Sequence, residues 1–141
     1  MTKRISLMLV LVFVLTTLAL PTFAQDDPWA DVDPSGQEIV FWYRVTGSSE
    51  EGLQELIAEF NETNMYGIVV TGVTQGGYDE LADKMLGTIG TDDAPNVIIA
   101  YQNNQLDYYT LDGLAVLNDL AASPTWGLSE EDLTDFFPAF L

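Results

Sequence analysis

The chain has 141 residues, 22 acidic against four basic, with no histidine and no cysteine, and 48% of its residues are apolar. Without cysteine there is no disulfide framework and no thiolate nucleophile. Without histidine the commonest general base and metal ligand are missing, so Ser-His-Asp, Cys-His and zinc chemistries are excluded. A formal charge of −18 argues equally against nucleic acid and anionic lipid head groups, whose recognition rests on Lys and Arg.

The first segment is set apart by composition. Lys3 and Arg4 form a basic n-region, Ile5 to Leu20 an apolar core, and Pro21-Thr22-Phe23-Ala24 ends on the small residues a signal peptidase reads, which places cleavage after Ala24. The alternative is an uncleaved membrane anchor, but the run of 16 residues falls short of the roughly 20 that a spanning helix needs. No cysteine follows the apolar core to take a lipid. Removing 24 residues of the 141 leaves 117, with Arg44 and Lys84 as the only cations and a charge of −20. Residues 1–24 are thus expected as a signal peptide on an exported acidic chain. Residues 25–37, rich in Asp, Pro, Ser and Gly, are expected as a disordered linker, and 38–141 as one domain with room for a core.

From Glu38 short apolar runs alternate with amphipathic stretches, the signature of an α/β class with βαβ units around a mainly parallel sheet flanked by helices. Ile39-Val40-Phe41-Trp42-Tyr43 predicts a strand within 38–45 that is covered on both faces. Ser48 opens a helix, with Glu51 as capping-box partner and Leu53, Leu56, Ile57 and Phe60 at helical spacing. Ile68-Val69-Val70-Thr71 predicts a second strand, within 66–71. Tyr78, Leu81, Ala82, Met85 and Ile89 line a second helix that stops around Gly87 and Gly90. Pro95 precedes a third buried strand, Val97 to Ala100. A shorter helix is expected over Leu106 to Leu111 with Gly113 as its stop, then a short extended piece from Leu114 to Leu117. A last helix starts at Ser129, with Leu128 and Leu133 as a hydrophobic staple and Phe136, Phe137 and Phe140 continuing its stripe.

Right-handed crossovers put strands 38–45, 66–71 and 97–100 side by side with their carboxyl ends on one edge, which is where open α/β sheets bind ligands. The loops expected there are Arg44-Val45-Thr46-Gly47-Ser48-Ser49, Gly72-Val73-Thr74-Gln75-Gly76-Gly77-Tyr78 and Tyr101-Gln102-Asn103-Asn104. Amides and hydroxyls both donate and accept hydrogen bonds, which suits the hydroxyls of a sugar, while flat rings cover its C–H faces. Solvation alone also accounts for polar loops, but a polyhydroxylated neutral solute fits their composition best.

The run Ile39-Val40-Phe41-Trp42, followed by a Ser/Glu-rich helix ending Phe60-Asn61-Glu62-Thr63-Asn64, resembles the start of the extracellular solute-binding proteins of ABC importers, the sugar-binding group in particular. Gly90-Thr91-Asp92-Asp93-Ala94-Pro95-Asn96-Val97-Ile98 is similar to that family's "g-x-x-P-D-v-v" phrase, and Gly113-Leu114-Ala115-Val116-Leu117-Asn118-Asp119-Leu120 to its "g-x-l-x-x-L". The phrases keep the family's order across nearly all of 38–141. Asn96 departs from it, standing where the family has Asp.

The resemblance implies a three-layer, periplasmic binding protein-like lobe of type II, and a two-lobed protein that closes on its solute by hinge motion. It also implies a monomer located in the periplasm or at the outer face of the cytoplasmic membrane, delivering a sugar or oligosaccharide to ABC permease subunits. No cofactor, metal or catalysis is implied. Such proteins are longer, so the chain is expected to be the N-terminal lobe, one wall of a cleft that binds weakly alone. Carried over by position, the ligand contacts are Arg44, Thr46, Gln75, Tyr78, Tyr101 and Gln102, with Trp42 and Tyr43 as lesser candidates. Arg44 suits a sugar or a carboxylate but equally a structural ion pair. Trp42 suits core packing better than stacking.

Other patterns carry less. Asp31-Val32-Asp33-Pro34-Ser35-Gly36 imitates half a calcium loop, yet Trp42 stands at the twelfth position where Glu is needed. Asn61-Glu62-Thr63 is a glycosylation acceptor only in a glycosylating host. The acid pairs Asp79 with Asp83 and Glu55 with Glu59, four apart, read as solvated helix faces. The competing functions are a secreted carbohydrate-active enzyme using two carboxylates, a binding protein for a cationic solute such as a polyamine, and an adhesin or receptor-like lobe.

Overall fold

A computed structural model of the chain describes residues 27–137. The expected signal segment and Phe140 lie outside the described residues. Three parallel strands, β1 (Glu38–Tyr43), β2 (Val69–Thr74) and β3 (Val97–Ile98), form one sheet in the order β2-β1-β3. Helix α1 (Ser48–Thr63) joins β1 to β2, and α2 (Tyr78–Thr88) joins β2 to β3. A 3-10 turn at Gln102–Asn104 leads into α3 (Gln105–Thr110), followed by the short helices α4 (Asn118–Ala121) and α5 (Glu130–Thr134). The chain is thus a small α/β domain with a parallel sheet flanked by helices, as its alternating pattern predicts.

Successive side chains of a strand point to opposite faces, and the last two of β1 show which helix covers which face. Tyr43, 1% exposed, turns toward α1, where its hydroxyl donates to Glu50 Oε1 (3.1 Å) and accepts from Gln54 Nε2 (2.6 Å). Trp42, 8% exposed, turns toward α2, with Lys84 Nζ 5.9 Å from its ring centre. Ile57 of α1, Leu81 and Met85 of α2, and Tyr108 of α3 complete the buried apolar set. The core therefore sits at the carboxyl half of β1. Val40 at the amino half is exposed, so the expected cover on both faces holds only at one end of the strand.

The apolar stripe expected along α1 is split: Ile57 is buried, whereas Leu56 and Phe60 are exposed. The capping box expected at Ser48 does not form. Gly47, at φ 62°, occupies the N-cap and no side chain caps the helix, so Ser48 is already its first helical residue. Strand β2 starts at Val69 and runs on through Gly72-Val73-Thr74, residues expected in the loop. The reason is steric: a Cβ on residue 72 would lie 2.5 Å from Ile57 Cδ1 and 3.1 Å from Tyr43 Cε1, so glycine lets the strand continue beneath α1. The β3 ladder is two residues long, extended by bonds from Asn96 N–H to Val40 O (3.0 Å) and Ile99 N–H to Trp42 O (3.0 Å).

Helix α3 stops at Asp112 (φ 56°) rather than Gly113. The Asp112 N–H donates to Tyr109 O (3.1 Å) and the Gly113 N–H to Tyr108 O (2.8 Å), the two bonds of a Schellman stop. Glycine is needed at 113 for space, because a Cβ there would lie 2.7 Å from Ile89 Cδ1. Leu114 to Leu117 is irregular instead of extended. Helix α5 has Ser129 as its N-cap, and Asp132 completes a capping box, while Phe136 and Phe137 beyond it are exposed.

Side-chain amides finish the sheet where strands run out. Val70 faces away from β1, and Asn61 brackets it, donating from Nδ2 to Val70 O (2.9 Å) and accepting at Oδ1 from Val70 N–H (2.7 Å). Asn64 does the same for Ile68, at 2.9 and 2.8 Å. On the other side of β1, Asn96 Oδ1 accepts from Val40 N–H (2.8 Å). The asparagines thus stand in for missing strand neighbours, satisfying edge groups that otherwise face solvent.

Residues 27–37, expected as a linker, are tied to the domain at several points. Asp27 Oδ2 accepts from Ser123 Oγ (2.9 Å) and Thr125 N–H (3.2 Å), and Trp126 Nε1 donates to Trp29 O (2.9 Å). Tyr66 meets Trp126 edge-on at 5.5 Å, and Gly36 N–H donates to Tyr66 O (2.9 Å). Hydrogen bonds from Thr125, Trp29 and Ser123 outweigh desolvation and hold the Asp27 carboxyl below its ordinary range.

Candidate functional site

Parallel pairing puts the ends of β1, β2 and β3 on one edge, and the chain leaves each with a different candidate residue. Arg44 follows β1, Tyr78 opens α2 just after β2, and Tyr101 lies just beyond β3. The structure gathers all three. The Arg44 guanidinium carbon is 4.6 Å from the Tyr78 ring centre, and the Tyr78 and Tyr101 rings stack at 3.9 Å with an interplanar angle of 35°. Tyr78 thus contacts both the cation and Tyr101, and of the two rings Tyr101 is the more open, at 50% exposed.

Tyr101 also forms one wall of a cavity of ≈ 260 Å³. Ile98, Ala100, Tyr108, Leu114 and Ala115 supply apolar lining, and Gln102 and Gln105 supply amides. This is below the 300–1,000 Å³ or so of pockets for drug-sized ligands, a volume for about one sugar-sized ring. A shallower cavity of ≈ 320 Å³ shares Gln102 and Gln105 and is completed by Leu106 and Tyr109. Neither lining contains a carboxylate.

The remaining candidates are placed differently. Gln75 is half-buried, its N–H extending the ladder to Tyr43 O (2.9 Å) and its Oε1 accepting from Lys84 Nζ. It braces a cation beside the stack. Thr46 is exposed and joins neither the stack nor the cavity. Trp42 and Tyr43 are core residues, and burial pushes the Tyr43 hydroxyl up. Lys84, Gln105 and Leu114 also belong to this edge but were not singled out from sequence. Lys84 lies mid-helix and the other two in stretches with no periodic signal.

Electrostatically the edge is unlike the rest of the chain. Among the described residues the only cations are Arg44 and Lys84, and both lie on the α2 face of the sheet at its carboxyl end. Neither forms an ion pair with a described acid; Arg44 rests on Tyr78, and Lys84 on Trp42 and Gln75. No protein-family model matches the chain, and no curated protein matches it.

Proposed function

We propose that the chain is the solute-capturing component of an ABC importer, exported and holding a sugar or oligosaccharide against the carboxyl edge of its sheet for delivery to membrane permease subunits. The observation that carries this reading is the convergence of Arg44, Tyr78 and Tyr101 from three separate loops beside an amide-rimmed cavity. An open aromatic face with hydrogen-bonding amides at its border matches the alternation of C–H faces and hydroxyls on a pyranose. The strand order β2-β1-β3 is compatible with a lobe of the type II binding-protein fold. In that arrangement the second lobe would close over Tyr101.

The enzyme reading draws less support, because a carboxylate pair with one raised-pKa acid has no place in cavities lined by apolar and amide groups. Saturation-transfer NMR on the full chain with a panel of neutral mono- and oligosaccharides tests the proposal. Weak binding with transfer to ring C–H protons is expected, reduced several-fold in Tyr101→Ala. Absence of transfer across the panel contradicts it, and release of shorter sugars during incubation supports the enzyme instead.

A further inference from the structure

The charges of this edge narrow its ligand, an inference that rests on the solute-binding reading above. In a chain with 22 acidic residues, a guanidinium on the surface has many carboxylates within reach. Arg44 nonetheless meets none of the described ones and is held by the face of Tyr78. A stacked guanidinium keeps its N–H donors free around its perimeter, in the fork geometry that takes a carboxylate with two parallel bonds. The stack has thus fixed the plane of the cation without using its donors.

Lys84 adds a second positive charge nearby, its ammonium 5.9 Å from the ring of Trp42, which stands two positions before Arg44 in the chain. Carboxylates stand nearby, Glu80 against Gly77 just before Tyr78 and Glu50 on the Tyr43 hydroxyl, yet neither pairs with these cations, so both positive charges remain available to an anion. A polyamine would meet these charges head-on. The half-exposed ring of Tyr101 and the guanidinium both contact Tyr78, at 3.9 and 4.6 Å from its ring centre. A ligand that lies on the Tyr101 ring and also reaches the N–H perimeter of Arg44 spans two separate contacts, which suits two linked sugar units.

We infer that the site takes an acidic oligosaccharide, with the carboxylate of one uronic acid unit on Arg44 and a neighbouring ring against Tyr101. The test compares α-1,4-digalacturonate with its dimethyl ester, which keeps the rings and loses the charge, by NMR titration of the full chain. Succinate serves as a carboxylate without a sugar. Charge-assisted bonds to one carboxylate predict that wild type binds the acid about tenfold or more tightly than the ester, with succinate not bound. In Arg44→Gln the acid-to-ester ratio falls to within about threefold, and Arg44→Lys, a point charge without the fork, lies between. The thermal midpoint of each variant, read alongside, shows that it is folded.

Equal affinity for acid and ester in wild type, or a ratio that survives Arg44→Gln, overturns the inference and leaves the sugar-binding reading standing. Succinate binding as well as digalacturonate overturns the sugar part. If neither saccharide binds, while the neutral panel fails too, both readings fall together.

Discussion

Tyr101 packs against Tyr78 with ring centres 3.9 Å apart and planes tilted by 35°, although 23 positions separate them in the chain. The contact joins the end of β3 to the first residue of α2, and Arg44 on Tyr78 extends it to the end of β1. One stack therefore sets the spacing of the three loops on the carboxyl edge. Under the proposed function, a solute would meet a surface already organised by these contacts.

The two tyrosines should respond differently to substitution. Tyr101→Ala removes a half-exposed ring, and loss of one stacking face predicts a saccharide affinity about two- to twelvefold weaker, from about 0.5–1.5 kcal/mol, with little change in unfolding midpoint. Tyr78→Ala frees Arg44 and Tyr101 together, so it should weaken binding at least as much and lower the midpoint as well. A Tyr78→Ala protein with unaltered stability would argue that the stack does not organise the loops.

Asn61 carries two hydrogen bonds to Val70 at the outer edge of β2. Asn61→Ala is expected to cost about 1–3 kcal/mol, read as a lower urea midpoint. Asn61→Asp should be at least as damaging at neutral pH, because a carboxylate oxygen would face the Val70 carbonyl in place of the amide N–H. The same engagement predicts that Asn61-Glu62-Thr63 is not glycosylated on the folded chain, as intact mass from a glycosylating host would show.

Gly72 and Ile57 form a pair that a double-mutant cycle can expose. A Cβ at 72 lies 2.5 Å from Ile57 Cδ1, so Gly72→Ala is expected to destabilise by about 1–3 kcal/mol through overpacking. Ile57→Val removes that methyl group at a cost of about 0.5–1.5 kcal/mol. In the valine background Gly72→Ala should cost less than in wild type, and strict additivity would contradict the contact.

Acid should loosen the strap between Asp27 and the Ser123–Trp126 turn. The Asp27 carboxyl is held below its ordinary range by hydrogen bonds from Thr125, Trp29 and Ser123. A carboxyl lowered in the folded state contributes stability above its unfolded value and loses it as pH falls through the folded one. The loss therefore falls below pH about 4. Wild type and Asp27→Asn should differ in thermal midpoint at neutral pH and converge as the pH drops below that point, the Trp126 fluorescence following the same course. A difference that persists at pH 2 would place the strap's contribution elsewhere.

Much of the fold is legible in the residues, and the parts that are not share a cause. Ile39 to Tyr43 announces a strand, though one buried only at Trp42 and Tyr43, and Tyr78 to Thr88 announces an amphipathic helix from its periodicity. The shift of β2 to include Gly72 has no such signal, since it depends on Ile57 and Tyr43 arriving from other elements to leave no room for a Cβ. The same holds for α1, whose stripe looks uniform in sequence, while only Ile57 is fully buried, Leu53 is half-covered and Leu56 and Phe60 are exposed. Asn61 and Asn64 are visible as a phrase, but their pairing with Val70 and Ile68 exists only once helix and strand lie side by side.

At the site, the contact positions implied by the family resemblance pick out Arg44, Gln75, Tyr78, Tyr101 and Gln102. They also pick out Thr46, which stands apart. They miss Lys84, which reaches the edge from the middle of α2, and give no warning that Tyr78 packs against both Arg44 and Tyr101. Those features come from stacking between loops, a relationship that spacing along the chain does not encode.

The most direct measurement is a residue-by-residue map of amide shifts on the full chain as digalacturonate or a neutral oligosaccharide is added. Binding at the carboxyl edge predicts the largest shifts at 44–46, 75–78 and 101–105, with residues 27–37 and 121–129 unmoved. Shifts centred on the Asp27–Ser123 strap, or on the exposed face of α1 around Leu56 and Phe60, would contradict the account.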